Sequence, residues 1–238
     1  MSKHSLVSRA FAYAFPLAAP IGLSFVALGL ALGMYAISQG LPLWMPILMA
    51  SLIYAGAMEF ITVGLLLSPF DPLGALILTL MVNGRHIFYG VSILERYQHL
   101  GWKRLPLIGG LVDESFAINV SVSLPDDVDE GWFYLHVTWL LYLSWIFGVL
   151  MGSLLATALV DYNMHGIEFV LAALFISIFV DMLRSNRTNM RFQFGAMGFL
   201  VSLVALVFLG PKSFALPAIF VMVAYCFIAY KWGGVHID

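Results

Sequence analysis

From Phe11 to Ser38 the chain carries no Asp, Glu, Lys or Arg. That stretch is longer than the roughly 20 apolar residues a helix needs to cross hydrocarbon, and comparable runs recur to the end of the sequence. Lipid offers no partner for backbone N–H and C=O groups, so a chain that crosses it must be helical or form a closed barrel. Continuous runs, rather than ten-residue alternation, select helices. Only 10% of residues are charged and 62% are hydrophobic, whereas a soluble domain carries about 25% charged residues. The fold expected is all-α: a polytopic membrane helix bundle of about six to eight apolar segments, forming one membrane domain over residues 1–238.

Turn residues and charges divide the chain into eight segments: Phe11–Ser38, Leu43–Leu67, Pro72–Leu94, Leu105–Leu124, Trp132–Val160, Gly166–Leu183, Phe192–Leu209 and Phe214–Trp232. The first runs on without a small-residue cleavage site and reads as retained rather than as a signal peptide. It also holds Pro16 and Pro20 ahead of Gly22. Each proline removes a helical hydrogen bond, so a break is expected over Pro16–Gly22. Such a break either points free backbone groups at a solute or is a plain kink. Gly29 and Gly33, and Gly148 and Gly152, form two G-x-x-x-G pairs that let helix backbones approach closely.

Basic residues mark cytoplasmic loops. They cluster at Lys3 and Arg9, at Arg96, Lys103 and Arg104, at Arg184, Arg187 and Arg191, and at Lys231. If all eight segments cross, the second and third clusters fall on opposite faces. One or two segments are therefore expected not to cross fully, the broken first and the polar, re-entrant fourth being the candidates. The C-terminus is placed in the cytoplasm.

Several classes of function are excluded or disfavoured. The net charge of −2 offers no basic stripe for nucleic acid. The single cysteine, Cys226, sits in an apolar run and permits no internal disulfide. The histidines lie on separate segments without ligand spacing, so no metal site or cofactor is expected. No G-x-S-x-G elbow or other nucleophile–base spacing appears, so the chain is not expected to be an enzyme.

Ionisable groups at membrane depth cost about 2.5–3.5 kcal/mol each on insertion scales and are candidates for function. They concentrate in residues 11–124, leaving 132–232 mainly apolar. Glu59 lies in YAGAMEF of segment two. Asn83, Arg85 and His86 lie in VNGRHIFYG of segment three, where helical spacing puts Asn83 with His86 and Arg85 with Tyr89. Segment four holds Asp113 and Glu114, then Ser115, Asn119 and Ser123 at four-residue intervals, a polar stripe. Arg85 keeps its charge at any ordinary pH. It is expected to pair with Asp113, Glu114 or Glu59, either as a structural lock between segments or as part of a site for a zwitterion or a proton. His86 titrates near neutrality and is a candidate for carrying a coupling proton, as are the buried carboxylates.

Four stretches in order, FPLAAPIG, YAGAMEF, LMVNGRHIFYG and LVDESFA, resemble the AzlC family, the large subunits of bacterial branched-chain amino-acid exporters. The likeness covers roughly residues 10–125, with the later helices matching mainly in hydropathy and in the basic SNRTNMR turn. It implies secondary export of valine, leucine, isoleucine or related apolar amino acids across the inner membrane, alongside a small AzlD-like subunit. The family pattern usually has Gln where this chain has Glu59. An amino acid needs an anion-binding group, an ammonium acceptor and an apolar pocket. Arg85 and Asn83 suit the first, Glu59, Asp113 or Glu114 the second, and Phe60, Phe88 and Phe116 the third. The competing reading is a non-transporting subunit whose polar cluster docks a partner.

Overall fold

A computed structural model describes residues 3–159 and 189–210, with isolated positions at 176, 180 and between 217 and 225. Most of segments six and eight, the basic residues Arg184, Arg187 and Lys231, and Cys226 lie outside the described residues. The chain divides into two compact units, residues 1–172 and 173–238. All the described secondary structure is helical.

The first unit is built on two long helices, α1 (Lys3–Ser38) and α8 (Glu130–Ala158). Between them come α2 (Trp44–Leu52), α3 (Gly56–Leu66), α4 (Pro72–Asn83) and α5 (Arg85–Tyr97). A 3₁₀ stretch, Gln98–Lys103, then leads into α6 (Arg104–Gly109) and α7 (Asp113–Ser121). In length and apolarity α1 and α8 each suffice to cross a membrane, and α4 with the helical stretch after it makes a third such element, bent by 53°.

The expected break in α1 is absent, because α1 is helical through Pro16, Pro20 and Gly22. Both prolines are exposed, while Ala10, Ala14 and Ala18 on the opposite face are fully buried. The lost hydrogen bonds therefore fall on the outer side, where a helix bends outward without disturbing its packed face. Gly22 serves packing instead: a Cβ there would sit 2.8 Å from the Ser144 hydroxyl.

α1 and α8 pack along their G-x-x-x-G pairs. A Cβ on Gly29 would lie 2.7 Å from the Trp145 carbonyl oxygen, and one on Gly33 would lie 2.6 Å from the Ser153 nitrogen. A Cβ on Gly148 would lie 2.8 Å from Val26 Cα, and one on Gly152 would lie 2.7 Å from Leu30 Cα. Contacts rise together in both sequences, so the two helices run parallel. Arg9 near the start of α1 pairs with Asp127 ahead of α8 at 2.7 Å, which puts both N-terminal ends together. The chain between them must return to that end.

At that end, Lys103 Nζ donates to Asp129 at 3.0 Å and lies 4.2 Å from the centre of the Trp132 ring. Asp129 caps α8 by accepting the Trp132 N–H at 2.8 Å. Partial burial pushes the Asp129 carboxyl up, but the Trp132 N–H and Lys103 outweigh it and hold it below the usual carboxylate range.

Segments two and four are each broken into two short helices. Segment two leaves the C-terminal end of α1 as α2, which reaches Tyr142 of α8, where the Tyr142 hydroxyl donates to the Ser51 carbonyl at 2.9 Å. The chain reverses at Ile53–Ala55, with Tyr54 at φ +44°, and α3 heads back until Phe60 meets Tyr35 near the end of α1. Segment four starts beside Lys103, enters as α6, turns at Gly110 against Thr138 of α8, and returns as α7. The 9 residues of α7 span only about 14 Å at 1.5 Å per residue. Two hairpins thus enter from opposite ends and bring their tips to the same stretch of α8. The α4–α5 element runs between those ends. Segments one and four were expected to be the interrupted ones; segments two and four form the hairpins, segment three is bent at Gly84, and segment one is continuous.

In the second unit, α9 (Asn189–Leu209) matches segment seven. Gly210 ends it at φ +73°, its N–H bonded to the Leu206 carbonyl at 3.0 Å, as a left-handed residue after a helix does.

Candidate functional site

The first hairpin tip is held open by side chains. In an unbroken helix the Ala55 N–H would bond the Ser51 carbonyl. Here the carbonyl takes the Tyr142 hydroxyl, and the Ala55 N–H goes to Glu59 Oε1 at 3.0 Å. Glu59 Oε1 also accepts the Trp145 indole N–H at 3.0 Å. Glu59 is fully buried, and its Oε2 has no hydrogen-bond partner. The Trp145 ring lies against Gly56, where a Cβ would come within 3.1 Å of it.

The second tip is closed by Ser115, fully buried, whose hydroxyl accepts the Val112 N–H at 3.0 Å and donates to the Val112 carbonyl. Any Cβ on Gly110 would run into the Thr138 methyl, so only glycine lets this tip seat against α8.

A cavity of about 200 Å³ lies between the tips. Ser51, Leu52 and Tyr54 of the first hairpin form one wall. Pro106, Gly109 and Gly110 of the second form another, and Thr138, Trp139 and Tyr142 of α8 form a third, leaving the cavity half open. The hydroxyls of Tyr54 and Thr138 are buried without a hydrogen-bond partner. Helices α3 and α7 both begin at the cavity and lead away from it, so the positive ends of their dipoles lie there.

Beside the second tip, Arg85 Nη1 meets Asp113 Oδ2 at 2.7 Å, with the two side chains 45% and 32% exposed. One turn on, Tyr89 stacks on Phe116 with ring centres 4.6 Å apart. Arg85 and Tyr89 share a face of α5 and together fasten it to α7. Glu114, next to Asp113 at the start of α7, is half-buried.

Of the three carboxylates offered to Arg85, the structure pairs it with Asp113. Glu59 belongs to the first tip and bonds to Trp145. Asn83 and His86 flank Gly84 at the 53° bend rather than sitting mid-helix, and His86 Nδ1 lies 3.2 Å from the Asn83 carbonyl. Asn119 is fully buried and donates to the Tyr97 hydroxyl at 2.8 Å, while Arg96 donates to its carbonyl. Ser115 and Asn119 share the buried face of α7, but Ser123 lies beyond the helix end. The three phenylalanines do not form one pocket: Phe60 packs on Tyr35, Phe116 on Tyr89, and Phe88 is 74% exposed. Sequence reasoning missed Tyr54, Thr138, Tyr142 and Trp145. The four-then-three spacing of Thr138, Tyr142 and Trp145 puts them on one face of α8, a signal visible once α8 is known to be helical.

The sequence is similar to several known proteins. A relative from Bacillus subtilis, named branched-chain amino acid transport protein AzlC, is 41% identical over 92% of this chain and 84% of its own length. An uncharacterized membrane protein of Haemophilus influenzae is 39% identical over 90% of this chain and 86% of its own. The inner membrane protein YgaZ of Escherichia coli is 27% identical over 66% of this chain and 67% of its own. No solved structure matches the chain. The AzlC protein family matches residues 20–159, which takes in every element of both hairpins, and the chain is a membrane protein that belongs to the AzlC family.

Proposed function

We propose that this protein is a secondary transporter that exports branched-chain or related apolar amino acids, and not an enzyme. The observation that carries the reading is the meeting of two broken helical hairpins from opposite ends at one cavity, beside the Arg85–Asp113 pair. Irregular backbone at membrane depth is tolerated where it is buried in protein or lines a cavity, and secondary transporters use interrupted helices to bind solutes at the midplane. The name of the Bacillus subtilis relative supplies the substrate class.

In this reading segments two and four are re-entrant, and the single transport domain spans 1–238. Arg9 and the Arg96–Arg104 cluster then lie on the cytoplasmic face, which satisfies the preference for basic residues there. The zwitterion's carboxylate is drawn to Arg85 and to the starts of α3 and α7, and its ammonium to Glu114 or Asp113. Transport is coupled to protons. Glu59, fully buried and without a cationic partner among the described residues, and His86 are the carriers offered. A small AzlD-like membrane subunit completes the exporter.

Flux of labelled valine through liposomes holding the purified protein, with and without the small subunit, tests the function. Loss of concentrative flux on collapsing the proton gradient tests the coupling. The partial exposure of Arg85 and Asp113 also favours a second reading, in which this pair docks a partner and the chain moves nothing. Reconstituted flux by the chain alone would exclude it.

A further inference from the structure

We infer that the cavity between the hairpin tips is the socket for the branched aliphatic side chain of the amino acid, and that Gly109 sets its size limit. The inference rests on the transport reading and names its specificity determinant.

Three observations lead to it. The first is volume. About 200 Å³ equals six or seven water volumes at about 30 Å³ each. That accommodates a three- or four-carbon branched group. The second is wall chemistry. Leu52, Pro106 and the rings of Tyr54, Trp139 and Tyr142 are apolar, and Gly109 and Gly110 add no side chain. The third is the neighbourhood. Asp113, which pairs with Arg85 at 2.7 Å, follows Gly110 of the cavity wall by three residues on the same hairpin. A bound amino acid can thus place its apolar end in the cavity and its charged end toward that pair.

Gly109 lines the cavity, and a Cβ added there meets nothing within 4 Å. It differs in this from Gly110, whose Cβ would strike Thr138. Gly109 is itself exposed, so a side chain there meets no clash at its Cβ and stands at the cavity's edge, where a larger one narrows the space left for a ligand. Leu52 is 74% exposed, so trimming it enlarges the socket safely.

The test is equilibrium binding of labelled leucine, valine, alanine and phenylalanine to the full chain in nanodiscs, with flux of the same four in liposomes. Wild type is compared with Gly109→Ala, Gly109→Val, Gly109→Leu and Leu52→Ala. The inference expects a graded loss, with Gly109→Leu weakening leucine about tenfold or more relative to alanine, the scale of steric discrimination by a methylene or two. Leu52→Ala should raise the relative affinity for phenylalanine. Leucine that binds and moves equally well in wild type and Gly109→Leu would overturn the inference and leave transport intact. Equal loss of leucine and alanine would also overturn it. The expected binding pattern without flux would uphold the socket and defeat the transport reading. Absence of both binding and flux in wild type would defeat both.

Discussion

Ser51 and Ala55 stand one helical hydrogen bond apart, and the bond between them is not made. Tyr142 holds the carbonyl of the first and Glu59 holds the N–H of the second. Both are side chains doing the work of the helix backbone, and Tyr142 lies 91 residues from the carbonyl it binds. The tip is therefore set by tertiary structure. The two supports also differ in kind: Glu59 is local to the hairpin, whereas Tyr142 comes from α8.

Removing either support orphans a buried backbone group, at about 1–3 kcal/mol. Tyr142→Phe and Glu59→Leu should each lower stability on that scale in detergent unfolding experiments. Glu59→Gln keeps an oxygen acceptor for the Ala55 and Trp145 donors and should unfold like wild type. If Gln destabilised as much as Leu, the charge rather than the acceptor would be what the tip requires.

The parallel contact of α1 and α8 leaves no room for a methyl group. Gly148→Ala and Gly152→Ala would drive a Cβ into the backbone of Val26 and Leu30, and overpacking of this kind typically costs about 1–3 kcal/mol. Gly64→Ala, where a Cβ meets nothing within 4 Å, should be neutral or slightly stabilising because alanine is the better helix former. Thermal unfolding of the three variants side by side distinguishes them.

Asp129 supplies a pH signature. Its carboxyl is held below the usual range by the Trp132 N–H and Lys103, against partial burial. A depressed acid contributes stability that is fully present above its unfolded value, about 3.9, and is lost as pH falls through the lower folded value. Melting temperature should therefore drop on acidification below about pH 4. Asp129→Asn should lower the melting temperature at pH 7 and weaken that acid response. An unchanged response in Asp129→Asn would place its origin elsewhere.

The long elements were legible in the sequence, because an uninterrupted apolar run leaves a helix as the only way to satisfy its backbone. Residues 132–160 became α8 at Glu130–Ala158, and residues 192–209 became α9 at Asn189–Leu209. The ion pair of Arg85 was legible for a similar reason, since its charge cannot be removed and must be met. The breaks were harder to read. Pro16 and Pro20 announce an interruption that α1 absorbs on its outer face. Ile53–Ala55, which holds no proline or glycine, is interrupted because Tyr142 and Trp145 arrive from far along the chain. The turn at Gly84 did carry a local sign, the Asn83–Gly84 pair that favours turns. The cavity was invisible, because its walls come from two hairpins and α8, none of which marks itself as a neighbour of the others.

The most direct test of the account is counterflow of labelled valine in liposomes, comparing wild type with Arg85→Ala and Asp113→Asn at equal protein incorporation. The account predicts saturable exchange by wild type and at least a tenfold loss in Arg85→Ala, with a smaller loss in Asp113→Asn, which keeps an oxygen facing the guanidinium. Wild-type exchange in Arg85→Ala would contradict it.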